Sequence, residues 1–202
     1  MSILFKLTYG LFMLSASNNG KDGGCIVNTV MQQTAVPETL SVTVNKDNFT
    51  TSLIKKTNRC VVNILDESTP FDFFKAFGMQ SSKDVDKFKD VDCVVTKNGI
   101  KTNAKHSAGY FEMEIINTVD MGTHYMFVGK IVESKLFENA KEPVTYAYYH
   151  KNIKPKPQPQ AENIGKEVWE CRICGYRHEG PLPQDFICPL CKHGVEDFFK
   201  VE

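Results

Sequence analysis

Four cysteines late in this 202-residue chain constrain it more than any other feature. Cys171-Arg-Ile-Cys174 and Cys188-Pro-Leu-Cys191 are two C-x2-C pairs separated by thirteen residues. Two such pairs place four thiolates around one tetrahedral ion. Each short loop turns tightly enough to aim backbone N–H groups at the sulfurs. Gly175 follows the second cysteine, where a positive φ is often needed, and Pro189 stiffens the second loop. Crowded thiolates need both the metal and those donors. The alternative, a pair of disulfides in a small domain, requires an oxidising compartment. Tetrahedral S4 suits zinc or iron, and spacing alone does not choose. Trp169, Tyr176, Phe186, Phe198 and Phe199 fit a dry shell around a redox ion, and equally the small core of a structural zinc ribbon.

Composition narrows the function classes. Lys plus Arg is 24 and Asp plus Glu is 24, so the formal charge is zero. A nucleic-acid binder or a polybasic membrane binder needs a positive surplus, so neither nucleic acid nor membrane is an expected partner. No apolar run reaches the roughly 18 residues of a membrane span. The apolar tract from Ile3 to Leu14 is read as a buried first strand rather than a leader, because no basic stretch precedes it and Lys6 and Thr8 interrupt it. Four clustered thiols point to a reducing cytoplasm. Cys25, Cys60 and Cys93 lie in strand-like tracts and read as small buried hydrophobes.

The sharpest composition shift spans residues 151–164, with Pro155, Pro157 and Pro159 at alternate positions. Prolines at that density favour an extended chain and forbid a packed helix, so this segment is expected to tether a first domain, 1–150, to a second, 165–202. Residues 1–150 read mainly as strands: Tyr9–Ser15, Gly24–Val30, Leu40–Val44, Cys60–Leu65, Val91–Thr96, Gly109–Asn117 and Tyr125–Glu133. Asp120-Met121-Gly122 offers a turn between the last two. One helix is expected from Thr50 to Thr57 with Asn48 as its N-cap, and another from Pro70 to Phe77, ended by Gly78. Many short strands with few helices indicate a mainly β protein, a closed or nearly closed antiparallel barrel.

No G-x-G-x-x-G or Walker motif supplies a nucleotide site. Polar clusters do border the apolar strands. Asn28-Thr29 and Gln33-Thr34 flank Val30-Met31, and Asn45-Lys46-Asp47-Asn48-Phe49-Thr50 leads into the first helix. Short amide and hydroxyl side chains at a helix N-terminus suit a phosphate, and equally serve as an ordinary cap.

The tracts WECRICGY, FICPLC and EDFFKVE resemble rubredoxin, and residues 167–202 resemble the shortened rubredoxin module of rubrerythrins. That resemblance implies one iron held by Cys171, Cys174, Cys188 and Cys191. Lys192 stands where rubredoxins usually have glycine after the fourth cysteine. Upstream, Tyr9-Gly10-Leu11-Phe12, Asn28-Thr29 with Gln33-Thr34, Asn45-Lys46 with Asn48 and Thr50, Phe77-Gly78 with Ser81 and Asp84-Val85-Asp86-Lys87-Phe88, Gly122-Thr123-His124 with Phe127-Val128-Gly129, and Tyr146-Ala147-Tyr148-Tyr149-His150 resemble the flavin reductase-like, FMN-binding split-barrel family.

That family implies a six-stranded split barrel, a homodimer, and FMN near the subunit interface. By the same resemblance Asn28, Thr29 and Thr34 line the flavin and its phosphate tail, and Asn45, Lys46, Asn48 and Thr50 serve the phosphate and ribityl chain. Ser81 and Lys87 close over the site, and His124 lies near the ring. His124 has an equally good reading as a turn cap. Family members often have Ser-Gly-Arg where this chain has Ser81-Ser82-Lys83, so Lys83 loses the bidentate fork and is left out of the expected site. The implied function is electron transfer from NAD(P)H through FMN to an Fe(Cys)4 centre, and on to a flavodiiron protein or similar acceptor that removes oxygen or nitric oxide. No side chain is expected to act as a catalytic acid or base. The alternative is a barrel that binds flavin or another ligand without turnover, with a zinc ribbon that recruits a partner.

Overall fold

In the computed structural model, residues 3–155, 167–173, 176–188 and 193–201 are described, apart from the side chains of residues 4 and 5. The chain divides into two units, Met1–Lys154 and Pro155–Glu202. Strand formation starts later than expected. Ile3–Lys6 is a single 3-10 turn, and Ile3 and Leu7 are exposed. The first strand, β1, is Phe12–Asn18. Among the described residues, 3–9 pair with no strand. The chain's first bridge is Gly10 to Thr145.

The strands that follow are β2 (Lys21–Val27), β3 (Val30–Ala35), β4 (Glu38–Asn45), β5 (Arg59–Leu65), β6 (Cys93–Val95), β7 (Lys101–Asn103), β8 (Ser107–Asp120) and β9 (His124–Leu136). Seven of them form one sheet in the order β2-β1-β5-β8-β9-β4-β3, antiparallel throughout. The expected six-stranded count is exceeded by the edge strand β3. Its six side chains are exposed or half-buried, so it lacks the alternation that marks a strand in sequence. β6 and β7 pair only with each other.

The sheet curls around an interior made of Leu14, Ala16, Cys25, Leu40, Val42, Cys60, Val62, Met113 and Phe127. Leu53 and Ile54 of helix α1 (Phe49–Thr57) are buried in that interior. Outside β1, Leu11 and Met13 pack with Phe74 and Phe77 of helix α2 (Phe71–Gly78). Both faces of β1 are therefore buried from Met13 to Ala16, which is why Leu11 to Leu14 reads as a continuous apolar run. Val144 closes the end of the barrel: its carbonyl accepts from Leu11 N–H at 3.0 Å and its N–H donates to the Leu65 carbonyl at 2.9 Å. A three-residue helix α3 (Tyr146–Tyr148) and a π-helical turn, Tyr149–Ile153, follow. Ile153 still packs against this cluster, so helical structure continues past residue 150. Of the proline-rich segment, residues 156–166 lie outside the described residues.

Local chemistry explains the helix ends. Asn48 Oδ1 accepts from Thr50 N–H at 3.0 Å, and Asn58 stops α1 in the left-handed region at φ 52°. α2 departs from expectation. Pro70 is its cap rather than its first turn, and Gly78 remains helical, the end falling at Met79 with φ −117°. A Cβ on Gly78 would meet Ile26 of β2 at an ordinary 3.5 Å, so neither a helix stop nor close packing requires this glycine. Two glycines of β2 are required by close approach. A Cβ on Gly23 would lie 2.8 Å from Leu53 of α1, and one on Gly24 would lie 2.7 Å from Phe77 of α2.

The second unit is a small sheet of β10 (Val168–Cys171), β11 (Arg177–Glu179) and β12 (Phe198–Val201) in the order β11-β10-β12. Phe186 packs edge-on to Phe198 at 5.3 Å and against His178 at 4.6 Å. Arg177 Nε donates to Glu170 at 2.9 Å across the β10–β11 pair.

Gly24→Ala is expected to lower unfolding stability by about 1–3 kcal/mol, because overpacking forces α2 outward; a urea titration measures this. A second expectation concerns alkali. Burial raises the Cys60 thiol from 9.0 to about 12 and Cys25 to about 11. The folded state thus keeps protons that the unfolded state releases, so this stability is intact below pH 9 and is lost as pH rises from 9 towards 12. Between pH 8 and pH 10.5 the wild-type urea midpoint should fall further than that of Cys60→Ala.

Candidate functional site

The end of β2, the ends of β4 and β9, and the start of α1 enclose a cleft of about 400 Å³. Its polar lining is Asn28, Thr29, Thr43, Asn45, Asn48 and His124; Ile26, Val27, Val44 and Met121 supply apolar surface. Hydrogen bonds hold these parts in place. Thr29 Oγ1 donates to the Thr43 carbonyl at 2.8 Å, fixing the β2–β3 corner to β4. Asn45 pairs with His124 across β4 and β9, and its carbonyl accepts from Thr51 Oγ1 at 2.7 Å. The turn before His124 is pinned by Gly122 N–H on Asp120 at 2.8 Å and by Lys46 N–H on the Thr123 carbonyl at 3.0 Å. Thr123 Oγ1 and His124 Nδ1 lie 2.8 Å apart. Asn28, Thr29, Asn45, Asn48 and His124 of the expected residues are thus brought to one cleft.

The other expected residues stand elsewhere. Thr34 lies further along β3, its hydroxyl shared with the Pro37 carbonyl and, at 2.6 Å, with Thr39. Lys46 Nζ pairs with Asp120 at 2.6 Å and sits over the Tyr125 ring at 4.7 Å. Thr50 is buried in the contact between α1 and Gly23. Ser81 shapes a turn, its Oγ accepting from Lys83 N–H at 3.2 Å. Lys87 is buried, and its ammonium donates to the Gly24 carbonyl at 2.9 Å and the Phe77 carbonyl at 3.0 Å. Burial lowers it to about 8. It braces α2 against β2.

A second hollow, about 480 Å³, lies beside the first turn of α1. Phe49 lines it whereas Asn48 lines the first cleft, so the two hollows flank the helix start. Lys21, Lys83 and Lys101 bring three ammonium groups there, and Asp22, Asp84 and Asp86 bring three carboxylates. Lys101 is spent on Asp22 at 2.8 Å; Lys21 and Lys83 are in no ion pair among the described residues. Lys83 is the residue left out of the expected site for want of an arginine fork, and Lys21 belongs to no motif. Lys21 follows Gly20 in a tight turn, and only the fold carries it to Lys83.

In the second unit, Cys171 and Cys188 are fully buried. Cys171 N–H donates to the Tyr176 carbonyl and Cys188 N–H to the His193 carbonyl, both at 2.8 Å. Each cysteine loop is therefore closed by the same bond, from its first cysteine to the residue five further on. Arg172 N–H ties the first loop to Asp197 at 2.8 Å. Cys174 and Cys191, together with Gly175, Pro189 and Lys192, lie outside the described residues. The donor set fits a tetrathiolate ion: two alike loops, thiols sheltered from water, and aromatic packing around Phe186. The cleft fits a flavin: hydroxyl and amide groups beside apolar surface, in the usual volume of a cofactor site, with a helix N-terminus alongside.

Residues 4–156 match the flavin reductase like domain, and residues 169–199 match the rubrerythrin, rubredoxin-like domain. The chain is 30% identical to a high molecular weight rubredoxin of Moorella thermoacetica, over 98% of either chain. It is 34% identical to a ferric-chelate reductase (NAD(P)H) of Archaeoglobus fulgidus, over 72% of this chain and 86% of that one. Among solved structures, the nitrilotriacetate monooxygenase component B homologue of Mycobacterium thermoresistibile shares the fold with a TM-score of 0.65, 18% identity, and 81% and 93% coverage of the two chains. A flavin domain and a rubredoxin-like domain on one polypeptide make an oxidoreductase that transfers electrons. The chain belongs to the flavin reductase-like domain family and carries a rubredoxin-like domain of the rubrerythrin type after it.

Proposed function

We propose that this protein takes electrons from NAD(P)H at an FMN in the barrel, passes them to a single iron held by Cys171, Cys174, Cys188 and Cys191, and delivers them to an acceptor protein of flavodiiron type. One observation carries this reading: a cleft with amide and hydroxyl edges at a helix N-terminus occurs on the same chain as two identically closed cysteine loops. The chemistry a bound flavin supplies is the conversion of one hydride into two single-electron steps.

The chain's own residues bind and orient. Asn28, Thr29 and His124 offer donors and acceptors to the flavin ring, and Val27, Val44 and Met121 keep water from it. Asn45 and Asn48 serve the polar tail. The start of α1 favours its phosphate, and Lys21 and Lys83 reach it from a rim they share with Asp84 and Asp86. In the second unit the thiolates hold the iron, and buried Phe198 with half-buried Phe186 and Tyr176 limits water, whereas Phe199 is exposed. The barrel works as a homodimer, a reading supported by the exposed apolar side chains Met31, Val36, Ile116 and Met121. The cell compartment is a reducing cytoplasm, supported by the unbridged thiols Cys25, Cys60 and Cys93. No described helix is long and apolar enough to cross a membrane.

Anaerobic titration of the full chain with NADH and NADPH, followed by metal analysis, tests the reading. Both chromophores should bleach. A colourless protein with stoichiometric zinc would instead favour the partner-recruiting ribbon. Cys188→Ser should keep reduction of the flavin by nicotinamide, lose the iron, and reduce transfer to an acceptor protein to background; unchanged transfer contradicts the route. A soluble ferric chelate offered to the same variant reports whether the barrel can serve that acceptor, the one in the Archaeoglobus protein's name, without the iron. The double variant Lys21→Gln, Lys83→Gln should weaken FMN by about 1.5 kcal/mol or more, the size of a lost charged hydrogen bond, and leave riboflavin binding unchanged.

A further inference from the structure

A third hollow, about 590 Å³, lies between the segment before β1 and helix α3 with the turn that follows it. It shares no residue with the cleft or the lysine-lined hollow. Main-chain pairing builds it. Tyr146 N–H donates to the Tyr9 carbonyl at 2.8 Å, and Thr145 caps α3 through Tyr148 N–H at 3.1 Å. Leu7 and Ala147 add apolar surface.

Three rings form its corner. Tyr9 and Tyr146 stand at 83° with centroids 6.2 Å apart, and Tyr146 and His150 at 66° with centroids 4.4 Å apart. Perpendicular rings offer an inserted flat ring one face to stack on and one edge to meet, the two favoured aromatic geometries. Charge then selects the guest. Among the described residues no aspartate or glutamate lines the hollow, and Lys6 does. Burial raises the Tyr146 hydroxyl, so it stays uncharged. His150 is held below its ordinary value by partial burial and then by the charge of Lys154. Neither ring therefore competes with Lys6 as a charge at neutral pH. A cation would be repelled here, and an aliphatic anion would leave the ring corner unfilled.

We propose that this hollow binds an aromatic monocarboxylate, its ring in the corner of Tyr9 and Tyr146 and its carboxylate on the Lys6 ammonium. The site is separate from the flavin reading and stands whether or not that reading holds.

The test is calorimetric titration of the full chain, with flavin and metal bound, using 4-hydroxybenzoate as probe and uncharged 4-hydroxybenzamide as control. Saturable binding should be unaffected by excess FMN. Lys6→Gln, an exposed position that leaves the fold alone, should weaken the carboxylate about threefold to fivefold, the size of an exposed ion pair, and leave the amide unchanged. Tyr146→Ala should weaken both probes about tenfold. Four results would each overturn the proposal. They are no saturable heat, equal carboxylate affinity in Lys6→Gln, displacement by FMN, and loss of binding as the protein self-associates. The last would assign the hollow to a second copy of the chain.

Discussion

Two adjacent glycines on β2 decide how close the helices can come to the sheet. Gly23 meets Leu53 and Thr50 of α1, and Gly24 meets Phe77 and Phe88. Neighbouring residues on a strand face opposite ways, so one pair of missing side chains admits α1 on one face and α2 on the other. Everything that forms the site follows from this seating. With α1 against β2, Asn48 comes beside Asn28 and Thr29, and Phe49 separates that cleft from the lysine-lined hollow. Lys87 reinforces the arrangement by joining Gly24 to the C-terminal end of α2 through two carbonyls.

Charge follows the same economy. The chain is neutral overall, and two cations near the site are already matched: Lys46 to Asp120 and Lys101 to Asp22. Such pairs contribute little stability when exposed. Their effect here is selective. They remove nearby ammonium groups from competition and leave Lys21 and Lys83, with Asp84 and Asp86 on the same rim, beside the helix start, where the helix dipole favours an anion.

Features with a local cause were legible in the sequence. The closure of the two cysteine loops at Cys171 and Cys188 follows from the C-x2-C pattern, α1 follows from its asparagine cap, and the turn at Asp120 to Thr123 follows from its glycine. What stayed hidden depends on distant partners. β3 has no buried face, so nothing in Val30-Met31-Gln32-Gln33-Thr34-Ala35 marks it until β4 pairs with it. β1 starts at Phe12 because Ile3 to Tyr9 has no strand beside it, although its composition is as apolar. Lys87 looked like a ligand from its place in a family motif, whereas the fold buries it between two carbonyls. Lys21 and Lys83 are 62 residues apart in the chain, and no local pattern joins them.

Val144 bears on how the chain is made. Its two main-chain bonds reach Leu11 and Leu65, so one residue completes a seam begun far upstream. A ribosome works from the N-terminal end, and most of the barrel's strands emerge while this seam is still open. The last stitch arrives only with residue 144, so a nascent barrel must wait for nearly all of its own length before that end can shut, and the cysteine loops are translated after it.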